Sequence, residues 1–190
     1  MEKQTFFASD YHWAHKNIIS YDKRPFKDEL ENESEILKRH NSIVTENDDF
    51  YFLGDLALMY KKEERERVES LLWQLNGDKH FIKGNHDHKE TIAMYKEVGT
   101  YLGEQARIIL NGVDVTLNHF PMRTWNRSHH GSLHLYGHHH GDIERSPWGR
   151  SMDVGIMINN YYPFNWEDIR KKLLAREIMY IKGDHHNGKQ

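Results

Sequence analysis

Residues 5–9, "TFFAS", form a short apolar run rich in β-forming side chains, the pattern of a strand buried on both faces. Two further runs, "DFYFLGD" (49–55) and "HFIKGNHD" (80–87), repeat the design: apolar residues that give way to glycine and polar groups. Between them the spacing of Ile36, His40, Ile43 and Val44 predicts a helix from Glu29 to about Val44. In "KKEERERVESLLWQLNGD", Val68, Leu71, Leu72 and Leu75 share one helical stripe, the charges form its solvated face, and Gly77 suits a helix end. "TIAMYKEVG" predicts another short helix.

The second half reads differently. "ARIILNGVDVTLNH" sets two apolar runs around Asn111-Gly112, the strongest short hairpin signal, and the second run ends at His119. "SLHLYGH" and "SMDVGIM" alternate apolar and polar residues, Asn165 is placed to cap a helix in "NWEDIRKKL", and "REIMYI" predicts a last strand. Interleaved strands and helices followed by hairpins predict mixed α/β layers, with chemistry on loops beyond the carboxyl ends of strands. A length of 190 residues fits one domain over 1–190, with 183–190, including His185 and His186, as a solvated tail.

Composition narrows the chemistry. With no cysteine there is no disulfide, thiolate nucleophile, iron–sulfur cluster or thiolate zinc site, so a transition metal must be held by His, Asp, Glu or Asn. A formal net charge of −3 argues against a broad basic face for coating nucleic acid. The opening lacks the length and flanks of a signal peptide and no run has the length of a membrane span, so the expectation is a cytoplasmic protein with no membrane partner. The departure from average composition is 15 histidines.

Several of those histidines fall at strand ends. Asp10 and His12, Asp55, Asn85 and His86, His119, and His138 and His140 come from five separate segments. Each alone is weak: a strand-end aspartate is often a turn former, and a lone histidine is commonly hydrogen-bonded core. In "GHHHG" an extended chain would bring His138 and His140 to one side and turn His139 away. Imidazole suits manganese, iron, zinc or nickel, and carboxylate extends the range toward magnesium. The set is too large for one tetrahedral ion, and two ions sharing a carboxylate are the economical reading.

With "DYH", "GD", "GNHD", "NH" and "GHHH" in this order, the sequence resembles the calcineurin-like metallophosphoesterase superfamily. The accompanying "HKNIISYDKRPF", "HFPMRTW" and "HLYGHHHG" are similar to its small bacterial and phage-borne members. The resemblance implies an α/β fold of mixed sheets, a four-layer αββα sandwich with a dinuclear site at one end of its two sheets. It implies that Asp10, His12 and His140 hold the first metal, that Asp55 bridges, and that Asn85, His119 and His138 complete the second. The cofactors would be two divalent transition-metal ions, manganese foremost, with iron, zinc or nickel as alternatives. A hydroxide activated by those ions would attack phosphorus, and His86 would act on the leaving group. Asp87 would orient the His86 imidazole or, as the bland alternative, cap the helix starting near His88.

Other residues are weighed against plainer roles. His15 and Asn17 are near enough to the first motif to touch substrate, or simply start a helix. Arg24 suits a bidentate phosphate clamp, against an ion pair with Asp22 or Glu29. Arg123 lies in "PMRTWNRSHHGS", a segment between ligand histidines with the variety to bind phosphate beside an aromatic group, although Trp125 also suits a core plug. His134, between two leucines, reads as structural. Without a large cap domain the site should be open, which favours a phosphodiester or nucleotide-like phosphoester as partner, short nucleic acid included, with no obligate protein partner. The rival is a catalytically inactive metal-binding or nucleic-acid-binding module of the same fold.

Overall fold

A computed structural model describes residues 2–142 and 148–180. Strand β1 (Thr5–Ala8) pairs in parallel with β2 (Asp49–Phe52), β2 with β3 (Asp78–Ile82), and β3 with β4 (Thr100–Gly103). A two-residue antiparallel strand, β9 (Phe164–Asn165), closes the other edge, giving the order β4-β3-β2-β1-β9. The second sheet runs β5 (Gln105–Leu110), β6 (Val113–Asn118), β7 (Leu133–Tyr136), β8 (Ser151–Asp153), antiparallel at β5–β6 and parallel beyond. Helices α1 (Ile18–Tyr21), α2 (Glu29–Ile43), α3 (Lys62–Gln74), α4 (Lys89–Val98) and α5 (Trp166–Leu174) complete the elements used below.

The pleat of the first sheet explains why its central strands carry apolar residues on both faces. Phe6, Ala8, Phe50, Phe52 and Phe81 point to one core shared with Ile36, Val68, Leu72 and Tyr95 of the helices. Phe7, Leu53 and Ile82 point the other way, to a core shared with Val115, Leu117, Leu133, Leu135 and Met152 of the second sheet. Trp166, Ile169 and Leu173 of α5 join that second core. Two mixed sheets flanked by helices thus form the layers of an αββα sandwich. Full burial of each such aromatic or aliphatic side chain contributes about 1.5–3 kcal/mol.

Local signals held where they were strongest. The Asn111-Gly112 turn has φ 49° and 75°, the left-handed pair that a tight hairpin needs. Asn165 caps α5, its side chain accepting from Glu167 N–H. Four expectations are corrected. α3 ends at Gln74, so Gly77 (φ 99°) belongs to the turn into β3. β7 does not alternate between core and solvent: all four residues are buried, because residues 121–132 cover its outer side. There, His134 Nδ1 donates to the Thr116 carbonyl (3.1 Å), its Nε2 accepts from Met122 N–H (3.1 Å), and Trp125 packs on its ring. Burial pulls the His134 pKa down to about 4, which keeps the ring neutral and structural.

Residues 176–180 of the expected last strand are irregular, and the remainder lies outside the described residues, as does the tail with His185 and His186. The reason is visible nearby: the Arg176 carbonyl accepts from the Arg150 guanidinium instead of a neighbouring strand. Finally, His138 and His140 do not lie on a strand. They follow β7 in a loop with left-handed backbone at both residues.

Candidate metal centre

The parallel strands of both sheets deliver their carboxyl ends to one place. Asp10 and His12 follow β1, Asp55 follows β2, Asn85 and His86 follow β3, His119 follows β6, and His138 and His140 follow β7. Backbone bonds knit these loops: Asp10 N–H to the Gly54 carbonyl, His12 N–H to the Asp55 carbonyl, and Gly137 N–H to the His119 carbonyl, all at 2.9–3.1 Å. Five of the seven expected ligands, Asp10, His12, Asp55, His138 and His140, have φ between 49° and 73°. Such a conformation costs about 1–3 kcal/mol per residue and persists only where surrounding structure imposes it.

Close approach explains the glycines. A Cβ on Gly84 would lie 2.2 Å from Asp55 Oδ1, and one on Gly137 would lie 2.6 Å from Asp10 Oδ2. Only a residue without a side chain lets the two loops touch the carboxylates they position.

Two groups of donor atoms are close enough together to hold an ion, Asp10 with His12 and His140, and Asp55 with His119 and His138. In the first, His12 Nε2 faces His140 Nε2 at 3.1 Å, and they lie 3.9 and 3.7 Å from Asp10 Oδ1. In the second, Asn85 Oδ1 lies 3.0 Å from His119 Nε2 and 2.9 Å from His138 Nδ1. Asp55 Oδ2 stands between the groups, 3.3 Å from His119 Nε2 and 3.8 Å from His12 Nε2. Donors each about 2.1 Å from one ion and at right angles are about 3 Å apart, so these separations suit metal ligation. His12 Nδ1, buried without a hydrogen-bond partner, leaves Nε2 as the ring's working atom. Imidazole, carboxylate and amide donors fit divalent transition metals.

The electrostatics show what holds so many polar groups together without ions. Burial pushes the Asp10 carboxyl up to about 7. Burial acts the same way on Asp55, but the hydrogen bond and charge of His119 outweigh it and hold that carboxyl at about 2. His119, drawn down by burial, is raised by Asp55 to about 9, and desolvation keeps His12 well below the ordinary histidine range. A proton on His119 therefore occupies the place where a cation is favoured.

Around the ligands, three expected residues do other work. Arg24 is buried (4% exposed), and its guanidinium donates to Asp22 Oδ2, the carbonyls of Tyr11 and Asp10, and Asn32 Oδ1. It braces the first motif from behind and is not a phosphate clamp, because its donors are already directed to the protein. Asp87 does not orient His86. Its carboxylate accepts from the N–H groups of Asp55, Leu56 and Gly84 and from Tyr95 Oη–H, tying the loops after β2 and β3 to α4. The bland alternative also fails, since α4 has no side-chain cap. Arg123 sends its guanidinium over the Trp148 ring (5.2 Å), in a small pocket with Trp125 and Arg150 that includes none of the ligands.

Others stay close. The His86 ring lies edge-on to that of His12 (5.5 Å between centroids), and its N–H donates to Asp55 Oδ1 (2.8 Å). His15 packs its ring 5.6 Å from that of His12, whereas Asn17 is exposed at the start of α1 with no side-chain cap. His139 stacks edge-on against His138 and has no ligand partner in either group.

Two contributors were not read from sequence. Asp22 Oδ1 lies 2.8 Å from His140 Nδ1, which leaves Nε2 for the first group; the sequence offered Asp22 only as an ion-pair partner for Arg24. Asp153, fully buried at the end of β8, accepts from the N–H groups of Gly141 and Gly155 and so positions the chain after His140. Its signal was available: an aspartate inside an apolar run, close to a glycine. A third group, Asp49, Asp78 and His80, sits on the first sheet away from these loops, and Lys3 Nζ pairs with Asp49 at 2.7 Å.

Comparison with known proteins adds kinship. No family model matches the chain. The uncharacterized protein MJ1445 of Methanocaldococcus jannaschii is 33% identical over 188 residues, covering 96% of this chain and 98% of MJ1445. The chain belongs to the MJ1445 family. The gene 66 protein of Mycobacterium phage L5 is 28% identical over 211 residues, with 95% and 94% coverage. Among solved structures, the protein of unknown function AQ665 from Aquifex aeolicus matches with a TM-score of 0.72 at 22% identity, over 90% of this chain and all of AQ665. At that identity the likeness shows a shared fold.

Proposed function

We propose that the chain is a dinuclear metal-dependent phosphoesterase that acts on a phosphodiester or nucleotide-like phosphoester. The observation that carries the reading is the division of donors into two groups with Asp55 Oδ2 between them. The order of the motifs, similar to calcineurin-like metallophosphoesterases, supports it. Asp10, His12 and His140 would hold one ion, Asn85, His119 and His138 the other, and Asp55 both. Two divalent ions, manganese first among candidates, would supply Lewis acidity toward phosphoryl oxygen and an activated nucleophile at neutral pH.

The protein's own groups have separable tasks. Asp22 fixes the His140 tautomer, and Asp87 and Asp153 hold the ligand loops. His86, at the rim with its backbone anchored on Asp55, gives a ring proton to the departing oxygen. Its ring makes no hydrogen bond to the described residues, which leaves it free for that exchange.

The test is hydrolysis of a paired chromogenic phosphomonoester and phosphodiester by metal-stripped protein, resupplied with manganese, with His86→Ala as control. Activity that requires metal and falls about 10²–10⁴-fold in the variant is expected. Two bound ions with no turnover of either ester would replace this reading with a binding module.

A further inference from the structure

We infer that Phe120 and the cleft beside it take a planar aromatic part of the substrate, so that the substrate class is a phosphoester bearing a nucleobase or aryl group. This inference rests on the phosphoesterase reading. Phe120 directly follows the ligand residue His119, and its ring lies 5.2 Å from the His119 ring and 4.6 Å from the His138 ring. The apolar ring thus packs against two imidazoles of the site, at interplanar angles of 78° and 58°. The residue is nevertheless 46% exposed. An exposed Phe against a polar centre gains little from burial in the free protein, and its exposed ring surface suits an aromatic ligand.

The backbone that carries the ring is also held in position. Phe120 N–H donates to Asn118 Oδ1 (2.7 Å), and Asn118 Nδ2 donates to the Glu104 carbonyl (3.0 Å). A cleft of about 340 Å³ opens there, lined by Lys83, Gly84, Asn85, Glu104, Asn118 and Phe120. It falls within the size of ordinary ligand pockets, roughly 300–1,000 Å³. Asn85 belongs both to this cleft and to the second ligand group, so a phosphate held at the centre has its substituent beside Phe120. Lys83 Nζ and Glu104 Oε1, paired at 2.9 Å, give the lining a donor and an acceptor for the edge of a base. The face itself is indifferent to which base it takes, since stacking needs only a π-surface.

The experiment is calorimetric titration of manganese-loaded full-length protein with adenosine 5′-monophosphate and with ribose 5-phosphate, with metal content measured in every sample. Wild type should prefer the nucleotide by about tenfold, the scale of one stacked base. Phe120→Leu, which keeps an apolar cover over the imidazoles, should bring the ratio near one, and Phe120→Trp should restore it. Equal affinities in metal-loaded wild type would overturn the subsite and leave the phosphoesterase reading standing. So would a preference that survives Phe120→Leu, or a Phe120→Leu protein that loses its metals and thereby shows the ring to be a prop. Failure of both compounds to bind with metals in place would remove the phosphate site itself, and the subsite with it.

Discussion

At the scale of single residues, the informative pair is Asp22 and Arg24. Both oxygens of Asp22 are committed, one to His140 Nδ1 and the other to Arg24, so the His140 ring is oriented by a carboxylate that is itself fixed. Outer partners of this kind typically account for 10–100-fold in metal affinity. Asp22→Asn should therefore weaken one of two manganese ions by that factor and leave the second nearly unchanged, read by metal titration. Equal loss at both would show that the residue holds the fold and not one site. Arg24→Ala should behave differently. It strips donors from the carbonyls of Tyr11 and Asp10 and from Asn32, and leaves Asp22 without its buried partner. Breaking a buried pair costs about 3–5 kcal/mol, visible in denaturant unfolding of metal-free protein. An unchanged midpoint with a raised KM would return Arg24 to the phosphate clamp that its sequence context suggested.

At the scale of elements, two glycines separate site geometry from turn geometry. A Cβ on Gly84 would stand 2.2 Å from Asp55 Oδ1 and 2.4 Å from its nitrogen, so Gly84→Ala must part the loops after β2 and β3. Its expected cost is about 1–3 kcal/mol, together with weakened metal binding. A Cβ on Gly112 meets open space, and Gly112→Ala should cost only about 1 kcal/mol for the left-handed turn, with metal affinity unchanged. Thermal unfolding and metal titration of both proteins check the contrast; metal loss in Gly112→Ala would break it. The same contrast explains what was legible in sequence. The hairpin, the Asn165 cap and the three apolar runs that lead into polar residues are local statements, and they stand in the structure. So is the order of the donors, which is why the ligand residues could be collected before any geometry. Asp22 beside His140, Asp87 beneath Asp55 and Arg24 behind Tyr11 are contacts across 118, 32 and 13 positions of chain, which no local pattern encodes. The last expected strand failed for a similar reason, since Arg150, 26 positions away, takes the Arg176 carbonyl at its start. An extended chain would have brought His138 and His140 to one side; a left-handed loop instead divides them between the two groups.

At the scale of the molecule, two sheets converge their strand ends on a concentration of buried charge, so the proposed metal binding would be linked to stability. In metal-free protein the His119 pKa is raised to about 9 against about 6.5 unfolded, so its contribution is complete below pH 6.5 and lost as pH climbs to about 9. Asp10, raised to about 7 from about 3.9 unfolded, likewise stabilises the folded state at low pH and loses that contribution by about pH 7. Asp55, held at about 2, contributes above about pH 4 and loses its contribution only as pH falls through 2, below the range that matters here. Metal-free protein should accordingly become less stable from about pH 6 to 9. Ions reverse the sign, because ligands must shed protons to bind them and affinity rises with pH. At manganese about 100-fold above its dissociation constant, binding adds about 2.7 kcal/mol, or roughly 5–11 °C for a chain of this size. The gap in Tm between loaded and stripped protein should therefore widen between pH 6 and pH 9, followed by calorimetry at fixed free manganese. A gap that stays constant or narrows would mean that the protons on His119 and Asp10 do not compete with the ions, and that the ions bind elsewhere.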